Sequence, residues 1–381
     1  ARYRAIYTVA GDETVNAIVP DQLANPDLKW ESSYQTNLGL DFGLWNSRVN
    51  FTFDYYNIDT KDLILGDSSA PEYVGYFTLN SLRNIGEMNN QGYEITLSTR
   101  NIQTDNFTWN TDLNWSRNRN KVTKLPDGDD IFLDSAPGHF LQNETHILRE
   151  GEALGQFFGY EYRGVYQGGA LPEGTAVFDG AAAGDELFTD IPDEYGNRDG
   201  VINTGDRKII GDPNPDWSFG FNNTFRYNDF DLGVFFQGAV GGDIFSYTFL
   251  ELASGGSNAT KEALNAWTPT NTNTNVPSAA VRGKRITSRF VYDGSYVRMR
   301  NIALGYNLPR NVVEKIGMDR VRVSLSGQNL WTITDYPGTD PEVSYEAQNN
   351  SNANSSNVSQ GFDYGNYPNL ESVTFSLNLK F

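Results

Sequence analysis

The chain has 381 residues, a formal charge of −19, no cysteine, 38% apolar and 13% aromatic residues. That acidity excludes nucleic-acid binding, which needs a basic footprint to displace phosphate counterions. Without cysteine there is no disulfide framework, thiolate metal site or cysteine nucleophile, and without a run of about 18 apolar residues there is no transmembrane helix. Few apolar residues and many aromatic ones suit a protein whose greasy side chains form a band rather than a large packed core.

The chain opens inside a strand, with Tyr3, Ala5, Tyr7 and Val9 on one parity and neither an initiator methionine nor a signal peptide ahead of them. It is therefore expected to be a piece of a longer protein. Asn25–Glu31 forms a turn into a hairpin. Tyr34, Leu38, Leu40, Phe42 and Leu44 lie on one face of its first arm, and Val49, Phe51, Phe53 and Tyr55 answer them after the turn at Trp45–Ser47. Strand side chains alternate between faces, so each arm is greasy on one side and polar on the other. At about a dozen residues the arms exceed the usual soluble strand and match the roughly 9 to 11 residues that cross a bilayer. Their polar side is Ser, Gln, Asn, Thr, Gly and Asp rather than Lys and Glu, which suits a crowded wet lumen.

The pattern recurs at Tyr93, Ile95 and Leu97, then at Phe107, Trp109, Leu113 and Trp115. It returns at Trp217, Phe219, Phe221, Phe225 and Tyr227, and after Asn228–Asp229 at Phe230, Leu232, Val234 and Phe236. Ile302, Leu304, Tyr306 and Leu308 lead through Pro309–Asp319, with a one-turn helix at Val312–Lys315, to Val321, Val323 and Leu325. Counting gives about ten firm strands. Ile147–Arg149 and Phe157–Tyr166 either supply a further crossing pair or do not cross at all. Links at 45–47, 102–106 and 228–229 are tight; those at about 61–85, 122–215, 242–295 and 334–369 are long. Short turns on one side and long loops on the other are the asymmetry of an outer-membrane barrel. The fold class that follows is all-β, an antiparallel transmembrane β-barrel of ten to twelve strands in this chain. Aromatics near strand ends (Trp45, Tyr55, Tyr56, Phe107, Tyr227, Phe230, Trp331, Tyr336) are expected to form interfacial girdles.

The last strand closes the series. Val373, Phe375, Leu377, Leu379 and Phe381 share one parity; Ser372, Thr374, Ser376, Asn378 and Lys380 share the other. Lipid is expected outside Val373, Phe375, Leu377 and Leu379, with Ser372, Thr374, Ser376 and Asn378 lining the lumen.

Few residues invite chemistry. Asn197-Arg-Asp-Gly-Val-Ile-Asn-Thr-Gly-Asp206 is similar to a calcium loop, with Asn197, Asp199, Asp206 and the Val201 carbonyl at ligand positions and Ile202 as anchor. Tyr195 stands where the first acid belongs, and the competing reading is an Asp-Gly turn in an acidic loop. No cofactor is required, and Ca2+ is the one ion the sequence suggests. His139 and His146 read as solvated loop residues, and Asp129–Asp130 and Asp185–Glu186 as loop charges rather than glycosidase carboxylates. Arg282, Lys284, Arg285, Arg289, Arg298 and Arg300 form a basic stretch that faces lipopolysaccharide phosphates or pairs with loop acids. Asn349–Asn357, beside Tyr336, Tyr345, Phe362, Tyr364 and Tyr367, is a polar loop suited to sugars, as many barrel loops are. No catalytic constellation is legible, so no enzyme is expected.

Several segments in order resemble the SusC/RagA-type TonB-dependent transporters of Bacteroidota outer membranes. They are Asn25–Glu31 with its hairpin to Asn57, Asn90–Glu94, Phe158–Tyr160, Asp199–Ile202, Gly211–Asp216, Phe235–Gly238, Tyr296–Tyr306, Gly327–Leu330 and the terminal Phe381. The resemblance implies a Gram-negative outer-membrane location and a barrel of about 22 strands with a plugged lumen. Residues 1–381 would be its carboxy-terminal part, with the plug and the TonB-contacting segment amino-terminal to it. It implies active import of a large nutrient, an oligosaccharide or peptide, energised through TonB. Implied partners are a SusD-like surface lipoprotein, the outer-membrane lipids and lipopolysaccharide, and the barrel-assembly machinery, which would read the last strand through Val373, Phe375, Leu377, Leu379 and Phe381. The alternative is a secreted or surface carbohydrate-binding β-sandwich protein without transport, which needs the greasy faces inside.

Overall fold

A computed structural model describes residues 2–10, 13–22, 25–67, 81–125, 128–133, 144–254, 258–279, 283–343 and 360–381. Nine strands build one antiparallel sheet: β1 (Ser32–Leu44), β2 (Val49–Asp67), β3 (Ser81–Gln103), β4 (Phe107–Lys124), β5 (Trp217–Tyr227), β6 (Phe230–Val240), β7 (Tyr296–Asn307), β8 (Arg320–Thr334) and β9 (Ser372–Lys380). Each pairs with its sequence neighbours, so the wall is a meander. Strands Arg2–Ala10 and Glu13–Gln22 form a separate hairpin. Nine and two make eleven long strands, within the expected ten to twelve.

Alternation decides what each face carries. One row of paired residues runs Phe42, Phe51, Leu97, Leu113, Phe221, Phe236, Met299, Trp331 across eight strands without a polar interruption. The neighbouring positions on the opposite face run Asp41, Thr52, Thr96, Asn114, Gly220. At the short-turn end Phe107, Tyr227, Phe230 and Tyr306 sit side by side, Phe230 and Tyr306 stacked at 4.4 Å. These form the expected girdle, with Trp45 beyond it, 73% exposed. Four expected members lie elsewhere. Tyr55 and Trp331 are on the apolar face away from this end, paired with Tyr93 and Met299. Tyr56 points to the polar face, where its hydroxyl donates to Asn118 Oδ1, and Tyr336 is buried among the loops.

No second sheet covers the greasy face among the described residues. Leu304 and Leu325 stay 48% and 52% exposed although their strands have a neighbour on each side. A contiguous bare apolar surface of this extent is far beyond what soluble monomers leave open, and it rules out a sandwich with the greasy faces inside. Val373, Phe375, Leu377 and Leu379 lie on this face, opposite Gly327, Leu325, Val323 and Val321.

The buried core lies in the long connections instead. Phe157, Phe245, Tyr247, Leu250, Ile286, Phe290 and Phe362 form one cluster, Tyr160, Ala176, Phe188 and Ile202 a second, and Val122, Leu125 and Leu148 a third. Small sheets frame them, one ordered Arg207–Gly211, Gln156–Tyr160, His146–Leu148, Ile131–Leu133. The segments around 147–149 and 157–166 therefore do not cross the wall. At three to five residues (His146–Leu148 and Gln156–Tyr160) they are too short, and they are buried by protein on both sides. Residues 308–319 on the short-turn side hold a helix at Arg310–Val313 followed by a 3₁₀ turn at Glu314–Ile316, close to the one expected.

Candidate functional site

Polar side chains gather on one face of the wall and in the loop assembly joined to it. On the polar face hydroxyls donate to the carboxylates and amides beside them: Thr52 to Asp41 at 2.6 Å, Ser98 to Asp112 at 2.7 Å, Thr96 to Asn114 at 3.0 Å. Cross-strand pairs of this kind stabilise a sheet without burying it. Arg322 reaches Asp231 across the intervening strand, its Nη2 2.7 Å from Oδ2. Gly305 permits this, because a Cβ there would lie 2.2 Å from the guanidinium. Gln35, Asn37, Asp54, Tyr56, Asn90 and Glu94 line an open recess of 480 Å³ on the same face.

A loop folds back onto the upper wall. Arg298 is 3% exposed; its guanidinium lies 2.6 Å from Asp340 and 2.5 Å from Glu342. Arg300 shares Glu342 at 2.5 Å, and the Tyr296 hydroxyl donates to it at 3.0 Å. Asp340 also accepts the main-chain N–H of Asn369 at 2.7 Å. Two guanidinium groups thus balance two carboxylates, and the segment between β8 and β9 is clamped to the polar side of β7. Two more members of the basic stretch pair with loop acids, Lys284 with Glu251 and Arg289 with Glu186 and Glu262, while Arg285 stacks on the Phe178 ring at 3.8 Å. Of the two readings given for it, loop pairing is the one the described residues support; Arg282 lies outside them.

His146 is not a solvated loop residue. It is fully buried against Phe157 and Phe362, with its ring nitrogens 2.8 Å from Thr145 Oγ1 and 3.2 Å from the Gln360 carbonyl. Burial pushes its imidazole down to about 4, so it is a neutral staple between two loops. Asp130 and Glu186 are bound by Arg149 and Arg289. His139, Tyr345 and Asn349–Asn357 lie outside the described residues.

The 197–206 loop is a turn built on main-chain donors. Asp206, 2% exposed, accepts from Ile191 N–H at 2.9 Å and Asn203 N–H at 2.8 Å, one on each oxygen. Asp199 accepts from Val201 N–H, and Asn197 donates to Asp193 rather than facing Asp199. Val201 bridges to Val177 and Ile202 anchors the second cluster as expected. Among the described residues no three acidic or imidazole side chains converge here. Calcium needs six to eight oxygens, and this donor set, already committed to N–H groups, does not fit it. The sequence reading missed Asp190, which takes the Gly200 N–H and helps fix the turn.

An uncovered apolar band outside, a hydroxyl- and amide-rich face inside, and folded loops at one rim define the wall of an outer-membrane β-barrel. The family model described as TonB dependent receptor-like, beta-barrel matches residues 3–330. The chain belongs to that family of outer-membrane receptors. It is similar to TonB-dependent receptor P3 of Formosa agariphila, 55% identical over 382 residues, which covers 100% of this chain and 37% of that protein. TonB-dependent receptor SusC of Bacteroides thetaiotaomicron is 28% identical over 368 residues, covering 94% of this chain and 32% of SusC. Among solved structures, the RagAB peptide transporter matches with a TM-score of 0.76 and 25% identity, over 100% of this chain and 38% of that one. The chain thus spans about a third of the length of the curated relatives it matches. These relatives are receptors and transporters, in keeping with a reading that found no catalytic constellation.

Proposed function

We propose that this chain forms the carboxy-terminal wall of an importer that brings a large nutrient, an oligosaccharide or a peptide, through the outer membrane with energy delivered by TonB. The observation that carries the reading is the loop segment clamped by Arg298 and Arg300 onto the polar face, which places a folded protein surface over a hydrophilic path. The chain's similarity to the RagAB peptide transporter supports the peptide half of that solute class. A SusD-like lipoprotein seated on the loop assembly is the partner this reading includes. The test is uptake by cells expressing the intact receptor, offered labelled peptides and oligosaccharides of matched size. Accumulation of one class that stops when TonB is removed is the expected result; accumulation that persists without TonB would make the barrel a passive porin.

The last strand has a proposed second role as the assembly signal, through Val373, Phe375, Leu377, Leu379 and Phe381. Phe381 is 80% exposed and packs little within the wall, so its removal should cost little folded-state stability. Deleting it is expected to lower the amount of receptor inserted in the outer membrane several-fold. Unchanged surface levels would assign the signal elsewhere.

A further inference from the structure

Alternation carries β4 past the apolar band and changes what its outward face bears. Leu113 and Trp115 lie in the band, Leu113 between Leu97 and Phe221, Trp115 between Ile95 and Phe219. The next three positions of the same parity are Arg117, Arg119 and Lys121, in unbroken register with Tyr93, Gln91 and Asn89 of β3. The residues between them turn the other way. Asn118 takes the Tyr56 hydroxyl, Asn120 bonds Asn214 of the loop assembly, and Val122 is buried in its third cluster. The three cations therefore stand outside the wall, at the long-loop end. Around Arg117 the outward row is Tyr93, Tyr55 and Leu38, with the two tyrosine rings 5.3 Å apart. Beyond it the outward side chains become polar: Asn89 donates to Asn57 and to Asp59 at 2.8 Å each. An aromatic row followed by a polar one marks the level of lipid headgroups.

The charge there runs against the rest of the chain, which has 48 acids to 29 lysines and arginines. Arg119 is bound to Asp216. Arg117 and Lys121 are exposed and make no ion pair among the described residues. Lys61, two positions beyond Asp59 on β2, is exposed as well, its ammonium 5.8 Å from the Tyr34 ring. We propose that Arg117, Lys121 and Lys61 hold the phosphate of a lipid in the outer leaflet, the phosphorylated glycolipid of lipopolysaccharide. A guanidinium fork donates two parallel hydrogen bonds to a phosphate, and a lysine supplies a mobile point charge. The stems of such side chains lie along apolar surface while their heads reach the headgroup layer, and the band below them takes the acyl chains. Successive outward positions on β4 are about 6.8 Å apart, so the ladder spans a headgroup rather than a single small anion. Lys284, Arg289, Arg298 and Arg300 are spent on loop acids, and the lipid-facing charge lies on β4 and β2 instead.

The test is lipid retention by the intact receptor in detergent, read by native mass spectrometry. The probes are phosphorylated lipid A, the same lipid A stripped of phosphate, and inorganic phosphate. Phosphorylated lipid A is expected to stay bound and the stripped form to be lost. Arg117→Gln combined with Lys121→Gln should lower retention about tenfold or more, with the unfolding temperature unchanged because both side chains are exposed. Arg117→Lys, which keeps the charge, should retain most of it. Arg310→Gln with Lys315→Gln removes two exposed cations on the short-turn side and should leave retention as it was. Equal retention of the stripped lipid, or retention that survives the Arg117 and Lys121 substitutions, would overturn the assignment. So would complete displacement of lipid A by inorganic phosphate at matched concentration, since the ladder would then read a free anion. Loss of a copurifying protein with lipid retained would overturn it too, by making this face a protein contact.

Discussion

Arg298→Met is expected to release the loop between β8 and β9 from the wall at a cost of about 3–5 kcal/mol, the range for leaving buried charges without their partner. The side chain of Arg298 is 3% exposed and that of Asp340 4%, so water cannot replace the lost guanidinium. Arg300 still reaches Glu342, but nothing else described reaches the Asp340 carboxylate as a cation. The readout is hydrogen exchange at the Asn369 and Glu342 amides, both of which donate to Asp340. Their protection should fall while protection in β3 and β4 stays. Adding Asp340→Asn to the methionine variant should recover part of the loss, because the orphaned charge is gone. Strict additivity of the two substitutions would show that the pair is not coupled.

The wall was legible in the sequence because its physics is local. Alternation over a dozen residues fixes which face each side chain takes, and tight turns such as Asn228–Asp229 set the register. The pairing of Phe221 with Phe236 follows from that alone, whereas that of Val323 with Leu377, across the long link between β8 and β9, does not. The loop assembly was not legible. Its clusters join Phe157, Phe245, Ile286 and Phe362, residues far apart in the chain whose flanks show neither a helical nor a strand period. His146 illustrates the gap: a lone histidine among Gly, Asn and Gln reads as solvated, and only the packing of Phe157 and Phe362 makes it a buried staple. The clamp was half visible. Arg298 and Arg300 on an inward stretch of strand call for acids, yet Asp340 and Glu342 come from a loop whose path sequence does not give. The 197–206 loop shows the same limit: its spacing counts carboxylates without counting the N–H groups that share them.

The central claim is that the apolar row faces lipid and the Ser/Thr/Asn face lines a wet lumen. Leu97 and Thr96 are adjacent on β3, one on each face: Leu97 lies between Phe51 and Leu113, Thr96 between Thr52 and Asn114. An arginine at Leu97 must enter hydrocarbon near the middle of the band, at a cost of about 2–4 kcal/mol, whereas one at Thr96 stays among polar groups and water. The measurement is the urea dependence of folding of the intact receptor into lipid vesicles, for Leu97→Arg and Thr96→Arg side by side. The wall described here predicts a large loss for Leu97→Arg and little change for Thr96→Arg. Equal losses, or the larger one at Thr96, would mean that the greasy face is not the one turned to the membrane.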